Sequence, residues 1–130
     1  MREVRLLKRR ALDFLEEAKI ALRRGSYDIA CFLAEQALQL YLKFILLKIV
    51  GDYLRTHSIK RLLGEIARLT NSSELRNFMR VNRARISALE DAYLMARYFI
   101  KEYDEDDADD MIKLVEEIIN LVNKIVGEEL

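Results

Sequence analysis

The sequence predicts an all-α fold, an up-and-down bundle of about five helices that forms a single domain over residues 1–130. Three observations support this fold class. The chain has no proline and only four glycines, which favours long helices over many short strands. Apolar residues recur at the three- and four-residue spacing of a helix face through most of the chain. Residues 26–50 are apolar around nearly their whole circumference, so that neighbouring elements must cover this segment on at least two sides.

The first helix is predicted from about Arg2 to Arg24. Gly25 then supplies a left-handed stop, and Ser26 can cap the next helix. A turn this short makes the first two helices antiparallel neighbours. The apolar face of the first helix carries Val4, Leu7, Ala11, Phe14, Leu15, Ala18 and Leu22.

The second helix, over residues 26–50, is expected to lie at the centre of the bundle, with Phe32, Leu40 and Phe44 covered by neighbours. Its most apolar run is interrupted by polar residues, well short of the about 20 clean residues of a membrane span. The single cysteine, Cys31, excludes an internal disulfide and fits a reducing compartment, so we expect a cytoplasmic protein without membrane contact. The polar positions gather on one narrow strip, which consists of Asp28, Glu35, Gln36, Gln39 and Lys43.

A short third helix is predicted to end around Asn71, with Thr56 or Ser58 as its cap. The fourth is predicted as one long helix over about 74–100, capped by Ser72 or Ser73. Asn82 falls on its apolar stripe, which indicates a kink, a break or a polar contact across an interface. Residues 101–104 then lead into the fifth helix, whose apolar side carries Ala108, Met111, Ile112, Val115, Ile118, Ile119, Val122, Ile125 and Val126.

Charge is balanced overall but divided along the chain. Residues 53–85 carry eight Lys or Arg against two acids, a local charge of +6, and residues 90–117 carry eleven acids against three bases, a local charge of −8. The net charge of zero means that no overall basic field favours nucleic acid. Frequent Arg, Glu, Ile and Leu with only two glutamines indicate a thermophilic source.

Several residues are candidates for chemistry, each with a structural alternative. The acidic run over residues 102–110 resembles an oxygen-rich cation site, but it lacks the spacing of a calcium loop, and acids favour the start of a helix in any case. We therefore expect no metal and no cofactor. His57 is the only histidine; it either hydrogen-bonds the connector or faces a ligand. Cys31 is expected to be packed in the core rather than reactive.

An arginine stripe is the strongest candidate for ligand binding. Arg76, Arg80 and Arg83 follow one another at i, i+4 and i+7, which places them on one helix face. Such a stripe either holds phosphates through charge-assisted hydrogen bonds or pairs with acids of a neighbouring helix. No glycine-rich phosphate loop is present, which excludes a Walker or Rossmann nucleotide site.

Three segments together resemble the HEPN domain family. Residues 11–44 (ALDFLEEAKIALRRGSYDIACFLAEQALQLYLKF) resemble its first two helices with their G-x-Y-x-x-A turn, and residues 56–63 resemble its T-H-x-L-x-x-L entry to the third helix. Residues 89–98 (LEDAYLMARY) are similar to its terminal A-R-Y element. The resemblance implies a bundle of about five helices, frequent homodimers and, in toxin–antitoxin-like pairs, partnership with a minimal nucleotidyltransferase.

Some members of that family cleave RNA without metal through an Arg-x(4–6)-His motif. Arg97 matches the arginine, but Glu102, Tyr103 and Asp104 stand where the histidine is expected. The resemblance therefore implies a non-catalytic homodimer that binds a nucleotide, RNA phosphate or a nucleotidyltransferase. The residues expected to line its cleft are Arg97 and Tyr98, with Arg80, Arg83 and Arg76.

Two other interpretations remain open at this point. One is an atypical metal-independent ribonuclease, in which His57 or the acidic run over residues 102–110 replaces the missing histidine. The other is a purely structural dimerisation module, in which all charge serves solubility.

Overall fold

A computed structural model describes residues 2–98 and 101–128, without the side chains of Ala96 and Arg97. Within these residues the backbone forms helices and connections, with no strand, and the all-α bundle is confirmed. It has six helices instead of about five. They are α1 (Arg2–Arg23), α2 (Tyr27–Val50), α3 (Ile59–Thr70), α4 (Ser73–Val81), α5 (Arg83–Tyr98) and α6 (Glu105–Val126).

Helix α2 lies at the centre of the bundle and packs against α1, α3, α5 and α6. By length and composition alone it could cross a membrane, but 67% of its most apolar window is buried inside the protein, as in a core helix. Phe44 is buried, whereas Phe32 and Leu40 are half-buried. Complete burial of a leucine such as Leu38 or Leu42 contributes about 1.5–3 kcal/mol, so this helix anchors the fold.

The turn between α1 and α2 forms where it was predicted. Gly25 adopts a φ of +83°, a left-handed conformation that glycine reaches at little cost. The backbone N–H of Ser26 donates to the carbonyl of Ala21 at 2.9 Å and closes the end of α1. Ser26 occupies the N-cap position of α2, but its side chain makes no capping bond there and instead accepts a hydrogen bond from Arg24 Nε at 3.4 Å.

The long fourth helix of the sequence analysis is divided at Asn82. The side-chain Nδ2 of Asn82 donates to the carbonyl of Phe78 at 3.1 Å, and its Oδ1 accepts from Arg85 Nη1 at 3.1 Å. Its backbone carbonyl accepts from the N–H of Ile86, so the same residue ends α4 and begins α5. The break exists because a short amide side chain competes with the helical backbone for its hydrogen bonds.

The basic and acidic blocks of the sequence meet within one chain. Arg85 on α5 donates through Nε and Nη2 to the two carboxylate oxygens of Asp110 on α6, at 3.1 and 2.9 Å. The acidic run also starts α6 through a capping box, in which Asp104 and Asp107 each accept from the other's backbone N–H. These acids therefore stabilise a helix N-terminus and an interhelical ion pair.

Candidate functional site

A depression of about 300 Å³ lies where α3, α4 and α5 meet. Its cationic lining comes from three different helices, with Lys60 on α3, Arg80 on α4 and Arg83 on α5. The apolar residues Met79 and Ile86 complete the lining. We call these five residues the cation pocket. Together they offer positive charge to an anion and apolar surface to the rest of a ligand.

The cations of this pocket are not neutralised by acids. Among the residues that the structure describes, no carboxylate lies within 4.0 Å of the ammonium group of Lys60 or the guanidinium groups of Arg80 and Arg83. Arg80 donates instead to the amide oxygen of Asn77 at 2.5 Å. The first turn of α5 also contains no acid, so the positive end of that helix adds to the local potential. The pocket is therefore prepared for an anion.

The arginine stripe is only partly assembled as predicted. Arg80 and Arg83 both line the cation pocket, although the helix breaks between them. Arg76 does not line it, because its guanidinium reaches back to α3, where Nη1 donates to Asn71 Oδ1 at 3.1 Å and Nη2 to the carbonyl of Ala67 at 3.5 Å. These two hydrogen bonds hold the turn between α3 and α4, so the role of Arg76 is structural.

The predicted cleft residues Arg97 and Tyr98 lie at the end of α5. The side chain of Arg97 lies outside the described part of the structure. Tyr98 is 64% exposed, and Leu94, four residues earlier on the same helix, is 47% exposed. This spacing puts the two large side chains on one face of α5, where they form an exposed apolar edge.

A second basic cluster lies on α1, which the sequence analysis did not single out. Arg2, Arg5 and Arg9 line a depression of about 450 Å³ together with Leu6. All four residues belong to one helix, and within residues 2–98 and 101–128 no second element contributes to the lining. Such a row of cations on a single helix is typical of a solvated face.

His57 lies in the connector before α3, where it is exposed but held from two directions. Its Nδ1 is 3.3 Å from Oε1 of Gln39 on α2. Its ring stacks on Tyr93 of α5, with centroids 4.8 Å apart and planes 17° from parallel, and Tyr93 in turn stacks on Phe32 at 6.3 Å. We call these three residues the aromatic ladder (Phe32, Tyr93, His57). His57 therefore bonds the central helix α2 rather than the connector, and it still presents ring surface to solvent.

The hydrogen bonds of Gln39 connect His57 to a buried carboxyl group. Gln39 Nε2 donates to Glu35 Oε2 at 2.5 Å, and Gln36 Nε2 donates to Glu35 Oε1 at 2.8 Å. Because the Gln39 amide nitrogen is used in this way, its oxygen faces His57, so Nδ1 is the protonated ring nitrogen. The outward Nε2 is left as an acceptor.

Glu35 is completely buried, and its environment keeps a proton on it near neutral pH. Burial and the negative charge of Glu90 both raise the pKa of Glu35, which stands at about 7. The amide donors of Gln39 and Gln36 and the charge of Lys43 act in the opposite direction but do not compensate for the loss of water. The polar strip of α2 therefore runs into the core at this point.

Glu90 on α5 occupies the N-terminal end of α3. Its Oε1 accepts from Ser58 Oγ at 2.7 Å and from the backbone N–H of Lys60 at 3.1 Å, while Ser58 Oγ accepts from the N–H of Arg61 at 3.2 Å. The cap is thus Ser58, one of the two predicted. A carboxylate of the protein thus already fills this helix end, so the N-terminus of α3 is not open to an external anion.

Cys31 is packed, as expected. Burial, together with the negative charges of Asp107 and Asp28, raises the pKa of Cys31 to about 12. The thiol therefore stays protonated at neutral pH and is a poor nucleophile.

Sequence reasoning missed four residues of these sites, namely Lys60, Glu35, Gln39 and Glu90. For Glu35 and Gln39 a signal was available, because a pair of polar residues at i and i+4 inside an otherwise apolar central helix must be hydrogen-bonded. Lys60 and Glu90 gave no such signal, since exposed charges on amphipathic helices are common. Only the way α3 and α5 pack places them beside Arg80 and Ser58.

Comparisons with known proteins show which family and which solved structures this chain resembles. The HEPN domain family matches residues 4–125. A crystal structure of TT1696 from Thermus thermophilus superposes with a TM-score of 0.79 at 24% identity, over 96% of this chain and 99% of that one. ST0689, an archaeal HEPN homologue, superposes with a TM-score of 0.68 at 27% identity, over 95% and 97% of the two chains. No curated protein matches significantly. Because the family match spans nearly the whole domain, the chain belongs to the HEPN family.

Proposed function

We propose that this HEPN-family chain is a non-catalytic binding protein that holds the phosphate of a nucleotide or of RNA in the cation pocket. The observation that carries the proposal is the convergence of Lys60, Arg80 and Arg83, each from a different helix, on one depression. Among the described residues their charged groups form no ion pair. Cations that come from three helices can surround a ligand, whereas the row of arginines on α1 comes from a single helix and cannot. Arg97 and Tyr98 belong to the proposed cleft as candidates.

Phosphate is the anion that suits this lining. Guanidinium groups present planar pairs of N–H donors that match two phosphate oxygens, and a lysine adds a mobile point charge. A terminal phosphate presents three oxygens to the three cations, whereas a carboxylate presents two. The apolar atoms of Met79 and Ile86 can contact a sugar or base beside the phosphate.

Calorimetric titration of ATP, GTP and a short single-stranded RNA tests the proposal. We expect the double variant Arg80→Ala/Arg83→Ala to lose tenfold or more in affinity, because hydrogen bonds between charged groups contribute about 1.5–3 kcal/mol each. The double variant Arg5→Ala/Arg9→Ala on α1 removes the same charge and is the matched control, expected to change affinity by less than about threefold.

Two results would contradict this function. Equal losses in the two double variants would indicate nonspecific attraction to positive charge. Absence of heat for all three ligands would remove the binding function and favour the purely structural dimerisation module.

The proposal also includes a homodimer and a minimal nucleotidyltransferase partner in a toxin–antitoxin-like pair. The exposed apolar edge of α5, Leu94 and Tyr98, supports an interface there. Sedimentation velocity at micromolar concentration is expected to show a dimer that Leu94→Glu converts to a monomer. A monomeric wild type would contradict the dimer. A nucleotidyltransferase encoded by a neighbouring gene that fails to co-purify with this protein would contradict the partnership.

A metal-independent ribonuclease is the second candidate, favoured by one observation. The Gln39–Glu35 pair orients His57 with Nε2 as a free acceptor, the arrangement a general base needs. A cleavage assay with wild type, His57→Ala and His57→Phe decides this point, because phenylalanine keeps a ring but cannot carry a proton. Uncleaved RNA in the wild-type reaction would exclude it.

A cytoplasmic location and a thermophilic source stay predictions. The single cysteine, Cys31, which is buried, supports the first, and the charged composition supports the second. A melting midpoint within the mesophilic range of about 45–65 °C would count against the second.

A further inference from the structure

The aromatic ladder ends at a ring that faces solvent. Phe32 is half-buried at the core end, Tyr93 lies between, and His57 is exposed at the outer end. The successive planes are 23° and 17° from parallel. Within the described part of the chain, His57 makes no other ring contact and no ion pair. Tyr93 covers one ring face, and the exposed part of the imidazole presents a planar surface to solvent.

The ring at the end of this ladder is held in place from the core. Gln39 fixes Nδ1, and Glu35 fixes Gln39, so the imidazole loses little further conformational freedom when something stacks on it. An exposed side chain held by a buried carboxyl–amide pair is preorganised, and preorganisation is what converts a weak stacking contact into useful affinity.

The ladder stands close to the cation pocket along the chain. Lys60 lies three residues after His57, which limits the backbone between them to about 11 Å. Between them Glu90 occupies the N-terminus of α3 and repels a phosphate there, but it does not repel a neutral base. A phosphate is thereby directed to the pocket and a base to the ladder.

We propose that His57 is a nucleobase platform, so that the ligand of this protein is a nucleoside monophosphate unit with its base stacked on the imidazole and its phosphate held by the cation pocket. This inference rests on the proposed phosphate-binding function and specifies its ligand class. Bases stack on aromatic side chains irrespective of sequence, so the platform selects for the presence of a base rather than its identity.

Titration with AMP, ribose 5-phosphate and a short oligoadenylate tests the platform. The wild type is expected to bind AMP about tenfold more tightly than ribose 5-phosphate, as expected for one stacked base. His57→Ala is expected to abolish that difference, and His57→Phe to keep most of it. An oligoadenylate that binds markedly more tightly than AMP identifies an RNA strand as the source, and equal affinities identify a free nucleotide.

Because His57 is the only histidine, its ring protons give a direct local readout by NMR. AMP is expected to move them upfield through the ring current of the stacked base, and ribose 5-phosphate is not. AMP that binds without this shift, that binds His57→Ala as tightly as the wild type, or that does not bind at all would overturn the platform. Failure of ribose 5-phosphate to bind, or its equal binding to Arg80→Ala/Arg83→Ala, would instead refute the phosphate pocket.

Discussion

The cation pocket and the Glu35 carboxyl both hold ionisable groups without an opposite charge in contact, and the fold treats them differently. Lys60, Arg80 and Arg83 line a surface depression, where water hydrates them and they remain charged. Glu35 is 0% exposed and has two amide donors but no cation within 4.0 Å among the described residues. An unpaired charge at the surface remains available to a ligand, whereas a buried unpaired carboxyl takes up a proton because burial raises its pKa.

The largest expected effect is the pH dependence of the free energy of unfolding that Glu35 causes. Its pKa is about 7 in the folded protein against an ordinary value of 4.5, so the folded state binds the proton more tightly than the unfolded state. The resulting stability is fully present below pH 4.5 and is lost as pH rises through 7. A shift of this size corresponds to about 3 kcal/mol.

Urea unfolding of wild type and Glu35→Gln from about pH 4.5 to 8 measures this effect. The difference between the two free energies of unfolding is expected to move in favour of the variant as pH rises, by about 3 kcal/mol in total. Glutamine keeps the shape and cannot ionise, which makes it the matched control for all other titrating groups. Parallel pH profiles would show that Glu35 is not buried as an unpaired carboxyl.

The next largest effect concerns the amide that satisfies this carboxyl. Gln39→Leu removes a buried donor to Glu35, so it is expected to destabilise the protein by about 2 kcal/mol at pH 8, where the carboxyl is charged, and by less at pH 5. Gln36→Leu is the control, because Gln36 is half-buried and water can replace its bond. Equal losses at both pH values would contradict the role of charge.

At the cation pocket the expected signature is salt dependence of binding. Three phosphate-facing cations predict that log affinity for single-stranded RNA falls with log salt with a slope of about −2. Affinity should then decrease on the order of tenfold between about 50 and 200 mM salt. Calorimetry at several salt concentrations gives the slope, which is expected to become shallower by about two-thirds in Arg80→Ala/Arg83→Ala. An unchanged slope would place the phosphate elsewhere.

The sequence predicted most of the fold but only part of the site, for physical reasons. Gly25 and the apolar circumference of α2 act locally, so spacing alone predicted their structural roles. The same reasoning narrowed the cap of α3 to Thr56 or Ser58, and the structure has Ser58. The effect of Asn82 depended on whether tertiary contacts would compensate for its competition with the helix, which is not encoded nearby. Lys60 and Arg80 come from segments 20 residues apart, and only helix packing brings them together.

The smallest expected effect concerns stability, and it separates a paired cation on α5 from the unpaired cations on α4 and α5. Arg85 binds both oxygens of Asp110 and is also 3.5 Å from Glu117, so Arg85→Ala is expected to lower the free energy of unfolding by about 1 kcal/mol. Arg80→Ala/Arg83→Ala breaks no ion pair among the described residues and is expected to change it by less than about 0.5 kcal/mol, although it removes twice the charge. Chemical denaturation of the three proteins at one salt concentration compares these values. A larger loss in the double variant would mean that the pocket arginines hold the bundle together, and a loss of ligand binding in that variant would then no longer identify the phosphate site.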